Sequence, residues 1–378
     1  MTIRLLPTAL VALASVVSLS RANAPAASLE FVDVFVAGDG GYHTYRIPSI
    51  VATRSGTLLA FAEGRRTGAG DAGDVDLVLR RSHDSGRSWS PMQVLSDIGP
   101  DTAGSPCAVV DRRTGSVWLI STRNRGADRE QDILAGGSHG GQTIWAMKSD
   151  DEGITWSMPV EITKSVKRPD WTWYATGPGI GIQTATGRIV IPANHAETDG
   201  TYRSHLFFSD DGGAHWSLGA ASDPGTNESQ VVELADGRLL LTMRNHPPKA
   251  ENFRLVATSK DGGVSLSTAT PDRALIEPPA HASLVRLSTE KDGGRNRLLF
   301  ANPASTKRER LTIRLSYDEG TTWPLAHVVY AGPSAYSSLV ALPDASIGLL
   351  FERGERSPYE RITFVHATLE WLTETGTQ

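Results

Sequence analysis

Four octapeptides in this chain share the pattern Ser-x-Asp-x-Gly-x-x-Trp: SHDSGRSW from residue 82, SDDEGITW from 149, SDDGGAHW from 209 and SYDEGTTW from 316. A fifth, SKDGGVSL from 259, keeps Ser259, Asp261 and Gly263 and carries Leu266 in the tryptophan position. The pattern is the chemistry of a turn between two strands. Asp accepts amides of its own turn, Gly supplies a positive φ, and Trp covers the hairpin end. Each copy follows a short, partly alternating apolar segment such as DLVLRRS, TIWAMKS, SHLFFS, FRLVATS or LTIRLS, rich in residues that favour strands. The aspartates stand at 84, 151, 211, 261 and 318, roughly 50 to 70 residues apart, which is the length of one four-stranded propeller blade. Residues 30 to 370 hold six such units, one of them without the motif. The expected fold is therefore all-β, a six-bladed β-propeller, and no Pro- or Ser-rich linker divides it. A pair of β-sandwiches competes less well, because sandwiches seldom repeat one turn chemistry at blade spacing. Recurrence with Gly and Trp assigns these aspartates to turns and removes them from the catalytic candidates.

The first 24 residues, MTIRLLPTALVALASVVSLSRANA, differ from the rest: Arg4, an apolar run from Leu5 to Leu19, and an Ala-x-Ala ending at Ala24. They read as a signal peptide, residues 1–24 with cleavage between 24 and 28, leaving 29–374 as the propeller of a secreted or periplasmic protein. The run is shorter than the roughly 20 residues of a spanning helix, so no membrane span is expected in the mature chain. Its removal takes away Arg4 and Arg21 and no acid, moving the formal charge from −5 to −7. A mildly acidic chain without a basic stripe is not a nucleic-acid binder. Cys107 is the sole cysteine, so an exported chain must hold together by its core alone, which a domain of about 340 residues can do. Nothing requires more than a monomer.

Residues outside the repeat carry the chemistry. In TYRIPSI, Pro48 biases Ile47 toward extended geometry and places Arg46 at a strand entrance. In AEGRRTGAGDAGDVD, Gly68, Gly70 and Gly73 surround Asp71 in a loop just after Arg65. This stretch lacks the ligand spacing of a calcium loop; a carboxyl on a lid that closes suits a general acid, since burial would raise its pKa. TNESQVVEL and LLLTMRNH put Glu228 and Arg244 on neighbouring strands, STKRERLTIRLS offers Arg308, Arg310 and Arg314, and GLLFERG places Glu352 at a strand end able to meet Arg46. Tyr336 lies in SAYSSL. Trp171, Trp173 and Tyr174 are equally readable as sugar-lining or core residues, and Asn194 and His195 as rim contacts. The ten histidines show no metal-ligand spacing.

YRIP, the repeated aspartate turns and SAYSSL together resemble the exo-α-sialidases (neuraminidases), retaining glycoside hydrolases on a six-bladed propeller, from YRIPSI to GLLFERG. The resemblance implies Arg46, Arg244 and Arg308 as a clamp for the sialic acid carboxylate, with Arg310 the alternative third member and Arg65 a further sugar contact. It also implies Asp71 as acid/base, Glu228 as base, Tyr336 as nucleophile and Glu352 as the carboxylate behind Arg46. Sialylated glycoproteins, glycolipids or oligosaccharides are the implied substrates, with no metal or organic cofactor. Trans-sialidases share these residues, and a sialic-acid-binding propeller would need the arginines without the acid, base and nucleophile.

Overall fold

The computed structural model describes residues 29–137, 141–246, 252–292 and 294–374. The segment read as a signal peptide lies outside these described residues. Burial divides the strands into two kinds. Thr44–Ala52 (TYRIPSIVA) and Thr102–Val110 (TAGSPCAVV) are buried along almost their whole length, whereas Thr270–Ile276 (TPDRALI) is mostly exposed. An inner strand is covered on both faces and need not alternate; an outermost strand keeps one wet face. Among the described residues the α-helices are three short pieces, Glu130–Leu134, Thr163–Val166 and Leu369–Thr373.

Hydrogen bonding joins the strands into sheets of seven, five, nine and four strands. Within them the chain runs as antiparallel meanders. Thr44–Ala52 pairs with Leu58–Arg65, that with Val75–Ser82, and that with Gln93–Ser96. The same order recurs in Thr226–Glu233, Leu239–Asn245, Phe253–Ser259 and Thr270–Ile276. The long strand Leu325–Ala341 serves two meanders, its first half pairing with Glu309–Ser316 and its second with Ile347–Arg353. The last meander is completed from the other end of the chain, where Glu30–Val36 pairs antiparallel with Arg361–Ala367.

All five repeats form one turn. In the first, Ser82 Oγ donates to Asp84 Oδ1 at 2.8 Å, and Asp84 accepts the Ser88 amide at 2.9 Å and the Ser88 hydroxyl at 2.6 Å. The Ser88 hydrogen bonds, side chain first, pull the Asp84 carboxyl down to about 2. The glycine is obligatory: at Gly86 φ is 88° and a Cβ would lie 2.0 Å from the Phe364 ring. The tryptophans do more than cover their own hairpins. Trp89 packs edge-on against Phe364 with centroids 5.5 Å apart, Trp156 against Phe61 at 5.9 Å and Trp216 against Trp118 at 6.0 Å. Each partner belongs to a different meander, so the repeated turn joins one meander to the next.

A cavity of about 890 Å3 opens at one end of the inner strands, lined by residues within 50–54, 109–113, 180–187, 232–237, 284–292 and 340–343. Arg46, Glu228 and Tyr336 stand toward the opposite ends of three of these strands. The central aromatic reading resolves toward core. Trp171 stacks on His195 with centroids 3.5 Å apart, and Trp171 and Tyr174 are buried in the core; Asn194 and His195 are buried too, so they are not rim contacts, and Trp173 is half-buried.

Candidate active site

Arg46 sits where the ladder between Thr44–Ala52 and Leu58–Arg65 slips a register between Arg46 and Ser49. Ile47 there has φ of 59°, not the extended geometry expected before Pro48, and this is a costly conformation for a β-branched residue. Glu352 compensates. Its Oε1 accepts Arg46 Nε at 2.8 Å and the Ile47 amide at 2.9 Å, and its Oε2 accepts the Tyr336 amide at 3.1 Å. One fully buried carboxylate thus sets the first arginine and the tyrosine backbone together.

Tyr336 is 5% exposed, and its hydroxyl donates to Glu228 Oε1. Arg244 Nη1 donates to Glu228 Oε2 at 2.8 Å and lies 3.4 Å from the Tyr336 hydroxyl. Burial, and then the Glu228 charge, hold the phenol well above its ordinary pKa, against the pull of Arg244, Arg308 and Arg46. For Glu228, desolvation acts upward, and the Arg244 charge together with the hydrogen bonds from Tyr336 and Arg244 opposes it, leaving the carboxyl below its usual value. The pair therefore rests as phenol and carboxylate. Arg244 Nε is buried without a partner among the described residues.

The third arginine is Arg308 by position. Its guanidinium lies 5.4 Å from the Tyr336 ring centroid, matched by Arg46 at 5.3 Å on the same ring. Arg308 Nη2 donates to the Pro279 carbonyl at 2.8 Å and Nη1 to the Tyr359 hydroxyl. Arg310 is exposed with φ of 62°, and Arg314 turns to Asn302 Oδ1 at 3.0 Å, so neither joins the cluster.

Asp71 reaches the same place from its glycine-rich loop. Its Oδ1 lies 2.7 Å from Arg65 Nη1 and 3.8 Å from Arg46 Nη1, with 70% of the side chain exposed. Desolvation pushes its pKa up, but Arg65 and then Arg46 override it, so the carboxyl sits below the usual aspartate value. The sequence-based expectation of a raised pKa does not describe this state. Arg65 is itself fixed: Nη1 also donates to the Ala69 carbonyl at 2.6 Å, while Nε and Nη2 reach Glu63 Oε2 at 3.0 and 2.6 Å. Asp74 and Asp76 turn away to Arg66, at 3.2 and 2.7 Å.

Four neighbours escaped sequence reasoning, three of them because they act only through contacts between meanders. Glu63 buttresses Arg65 and accepts the Ser105 amide at 2.7 Å. Tyr359 lies against Arg46, its ring centroid 4.1 Å from the guanidinium carbon. Glu130 accepts the Tyr202 hydroxyl; desolvation raises its carboxyl, and Asp71 and Glu228 are close enough to add to that shift. His281 is buried behind Tyr336 with ring centroids 5.7 Å apart, and burial lowers its pKa to about 4.

Four arginines, a phenol on a carboxylate and a loop aspartate thus converge at one end of an all-β scaffold, an arrangement suited to holding an anion beside a buried phenol. The chain matches the BNR repeat-like domain family over residues 56–349. A sialidase of Micromonospora viridifaciens is 35% identical over 360 residues, covering 90% of this chain and 54% of that protein. An exo-alpha-sialidase of Aspergillus fumigatus is 32% identical over 365 residues, covering 88% of this chain and 86% of that one. A solved Hadza microbial sialidase superposes with a TM-score of 0.83 at 32% identity, covering 91% of this chain and 69% of the other. An intramolecular trans-sialidase from Ruminococcus gnavus follows the same fold, with a TM-score of 0.77 at 20% identity over 91% of this chain and 98% of its own. The chain belongs to the sialidase family. It spans about half the length of the Micromonospora relative, 54%.

Proposed function

We propose that this protein is an exo-α-sialidase that hydrolyses terminal sialic acid from glycoproteins, glycolipids or oligosaccharides with retention, through a covalent intermediate on Tyr336. The observation that carries the reading is the Tyr336 hydroxyl seated on Glu228 within reach of three arginines. A sialoside bears a carboxylate on its anomeric carbon. Arg46, Arg244 and Arg308 clamp it with forked donors. A carboxylate nucleophile beside that charge would be repelled; a neutral phenol is not. The phenol is a weak nucleophile until Glu228 takes its proton during attack.

In the first step Tyr336 Oη bonds to the anomeric carbon, the glycosidic C–O bond breaks and Asp71 gives its proton to the leaving oxygen. In the second, water attacks the same carbon as Asp71 removes its proton, and the phenol leaves with the proton held by Glu228. The low pKa of Asp71 in the free site is compatible with its acid role. There Arg46, Arg65, Arg244 and Arg308 balance Asp71, Glu63, Glu228 and Glu352. A bound substrate carboxylate adds one negative charge and draws Arg46 from Asp71, so Asp71 takes up a proton on binding.

The meander order and the six chain segments around the cavity support a six-bladed propeller over residues 29–374, and the export-type leader, residues 1–24, supports a secreted or periplasmic enzyme. The test is release of a fluorogenic aglycone from an α-sialoside, beside Tyr336→Phe. Turnover by the wild type and its near-complete loss in the variant are expected; full turnover by the variant would falsify the nucleophile assignment.

A further inference from the structure

We propose that Tyr359 is a positioning residue of the carboxylate clamp, spacing Arg46 and Arg308 by holding one on its ring face and the other on its hydroxyl. The inference rests on the sialoside reading above. Two guanidinium groups flank the Tyr336 ring, at 5.3 and 5.4 Å from its centroid, and repel each other. Glu352 holds Arg46 at 2.8 Å, but no carboxylate pairs with Arg308 among the described residues. Tyr359 answers both needs. Its π face lies 4.1 Å from the Arg46 guanidinium carbon, and its oxygen accepts Arg308 Nη1. It packs, half-buried, on the small apolar cluster of Ile47, Ala280, Ala335 and Tyr336. It therefore touches both arginines and the strained turn that carries the first.

The loop that presents Tyr359 is built to stay still. The Glu360 carboxylate accepts the amides of Glu355, Arg356 and Ser357 at 3.1, 2.9 and 3.0 Å. The Gly354 carbonyl accepts the Tyr330 hydroxyl at 2.7 Å, and a Cβ at Gly354 would lie 2.0 Å from the Ser357 carbonyl. A ring on such a loop fixes the arginine spacing before substrate arrives, which spares the ligand the work of ordering the clamp.

The test compares wild type, Tyr359→Phe and Tyr359→Leu by calorimetric titration with a 2,3-unsaturated sialic acid and with its methyl ester, which keeps the sugar and masks the carboxylate. The phenylalanine variant keeps the ring and loses the acceptor. Its affinity for the acid should fall about threefold, and that of the leucine variant about tenfold, with the ester moving less than about twofold in both. A merely structural residue would weaken acid and ester alike, and that result, or an unchanged acid affinity in both variants, overturns the proposal. Selective loss in the leucine variant alone overturns its Arg308 half. If the leucine variant does not fold, the phenylalanine variant decides. A wild type that binds neither probe overturns the sialoside reading and this proposal with it; one that binds both while the variants fail the ratio overturns this proposal only.

Discussion

Replacing Glu352 with glutamine keeps the shape of the side chain and removes its charge. Three N–H donors converge on its two oxygens: Arg46 Nε at 2.8 Å and the amides of Ile47 and Tyr336 at 2.9 and 3.1 Å. Glutamine offers one oxygen and one NH2, so one side of the carboxamide must set donor against donor. Arg46, only 5% exposed, also loses its balancing charge, and the next carboxylate, Asp71, is 3.8 Å away on an exposed side chain. Removing one member of a buried pair costs roughly 3–5 kcal/mol, and an orphaned buried amide adds about 1–3. Asp71, the Tyr359 ring and entering water recover part of this, so a net loss of about 3 kcal/mol is expected. That leaves a domain of ordinary stability folded, since such domains hold roughly 5–15 kcal/mol. Urea unfolding at pH 7 reads the loss as a lower midpoint with an unchanged slope. The sialoside KM should rise in parallel, because Arg46 is no longer aimed. A loss below about 1 kcal/mol with an unchanged KM would refute the argument that this carboxylate holds the site together.

Glu63→Gln removes the charge that offsets Arg65, so Asp71, already held low in the free site, falls further; the alkaline limb of kcat/KM, on which Asp71 must be protonated, should move to lower pH. A pH–rate profile on a substrate with a poor leaving group reads this, and a limb that stays put counts against the relay. His195 and His205 face each other Nδ1 to Nδ1 at 3.0 Å in the core, where burial lowers His195 to about 3 and His205 well below its ordinary value. A lowered folded pKa means the stabilisation is complete above the unfolded value near 6.5 and is lost as pH falls from there toward 3, by up to about 1.4 kcal/mol per unit for each ring. Thermal midpoints should drop below pH 6.5, and His205→Leu should flatten that slope; an unchanged slope argues against the buried pair. Gly86→Ala drives a Cβ to 2.0 Å from Phe364 at φ of 88°, whereas Gly237→Ala at φ of 86° meets nothing within 4 Å. The first should cost more than about 3 kcal/mol and the second about 1, by denaturant unfolding, and equal losses would mean backbone strain alone sets both.

The parts of this structure legible in sequence are those decided over a few residues. The aspartate turn is one, because Ser82, Asp84, Gly86 and Ser88 satisfy one another locally. Tyr336 and Glu228 are another matter: they meet across 108 positions, and only resemblance to a family put them together. Glu63 and Tyr359 carried no signal, since nothing in AEGRR or SPYER marks them until the arginines they hold are in place. Trp171, Tyr174 and His195 were ambiguous for a physical reason. An aromatic beside a polar ring suits a sugar-lining wall or a close-packed core, and burial decides between them. The Asp71 expectation missed because Arg65, two strand residues beyond Glu63, holds the loop aspartate and lowers its pKa, a contact that the loop sequence alone does not reveal.

Joining the strand at Glu30–Val36 to the one at Arg361–Ala367 has a consequence for how the molecule is made. Arg46 leaves the ribosome early, while Glu352, which orients it, is 306 residues behind. Until the carboxy-terminal strands arrive, the first arginine lacks its buried counter-ion, with only the exposed Asp71 nearby, and Ile47 lacks the carboxylate that accepts its amide. A nascent or truncated chain can build its interior meanders and still be chemically blank. Competence then appears in a single late event, when the two ends of the polypeptide pair.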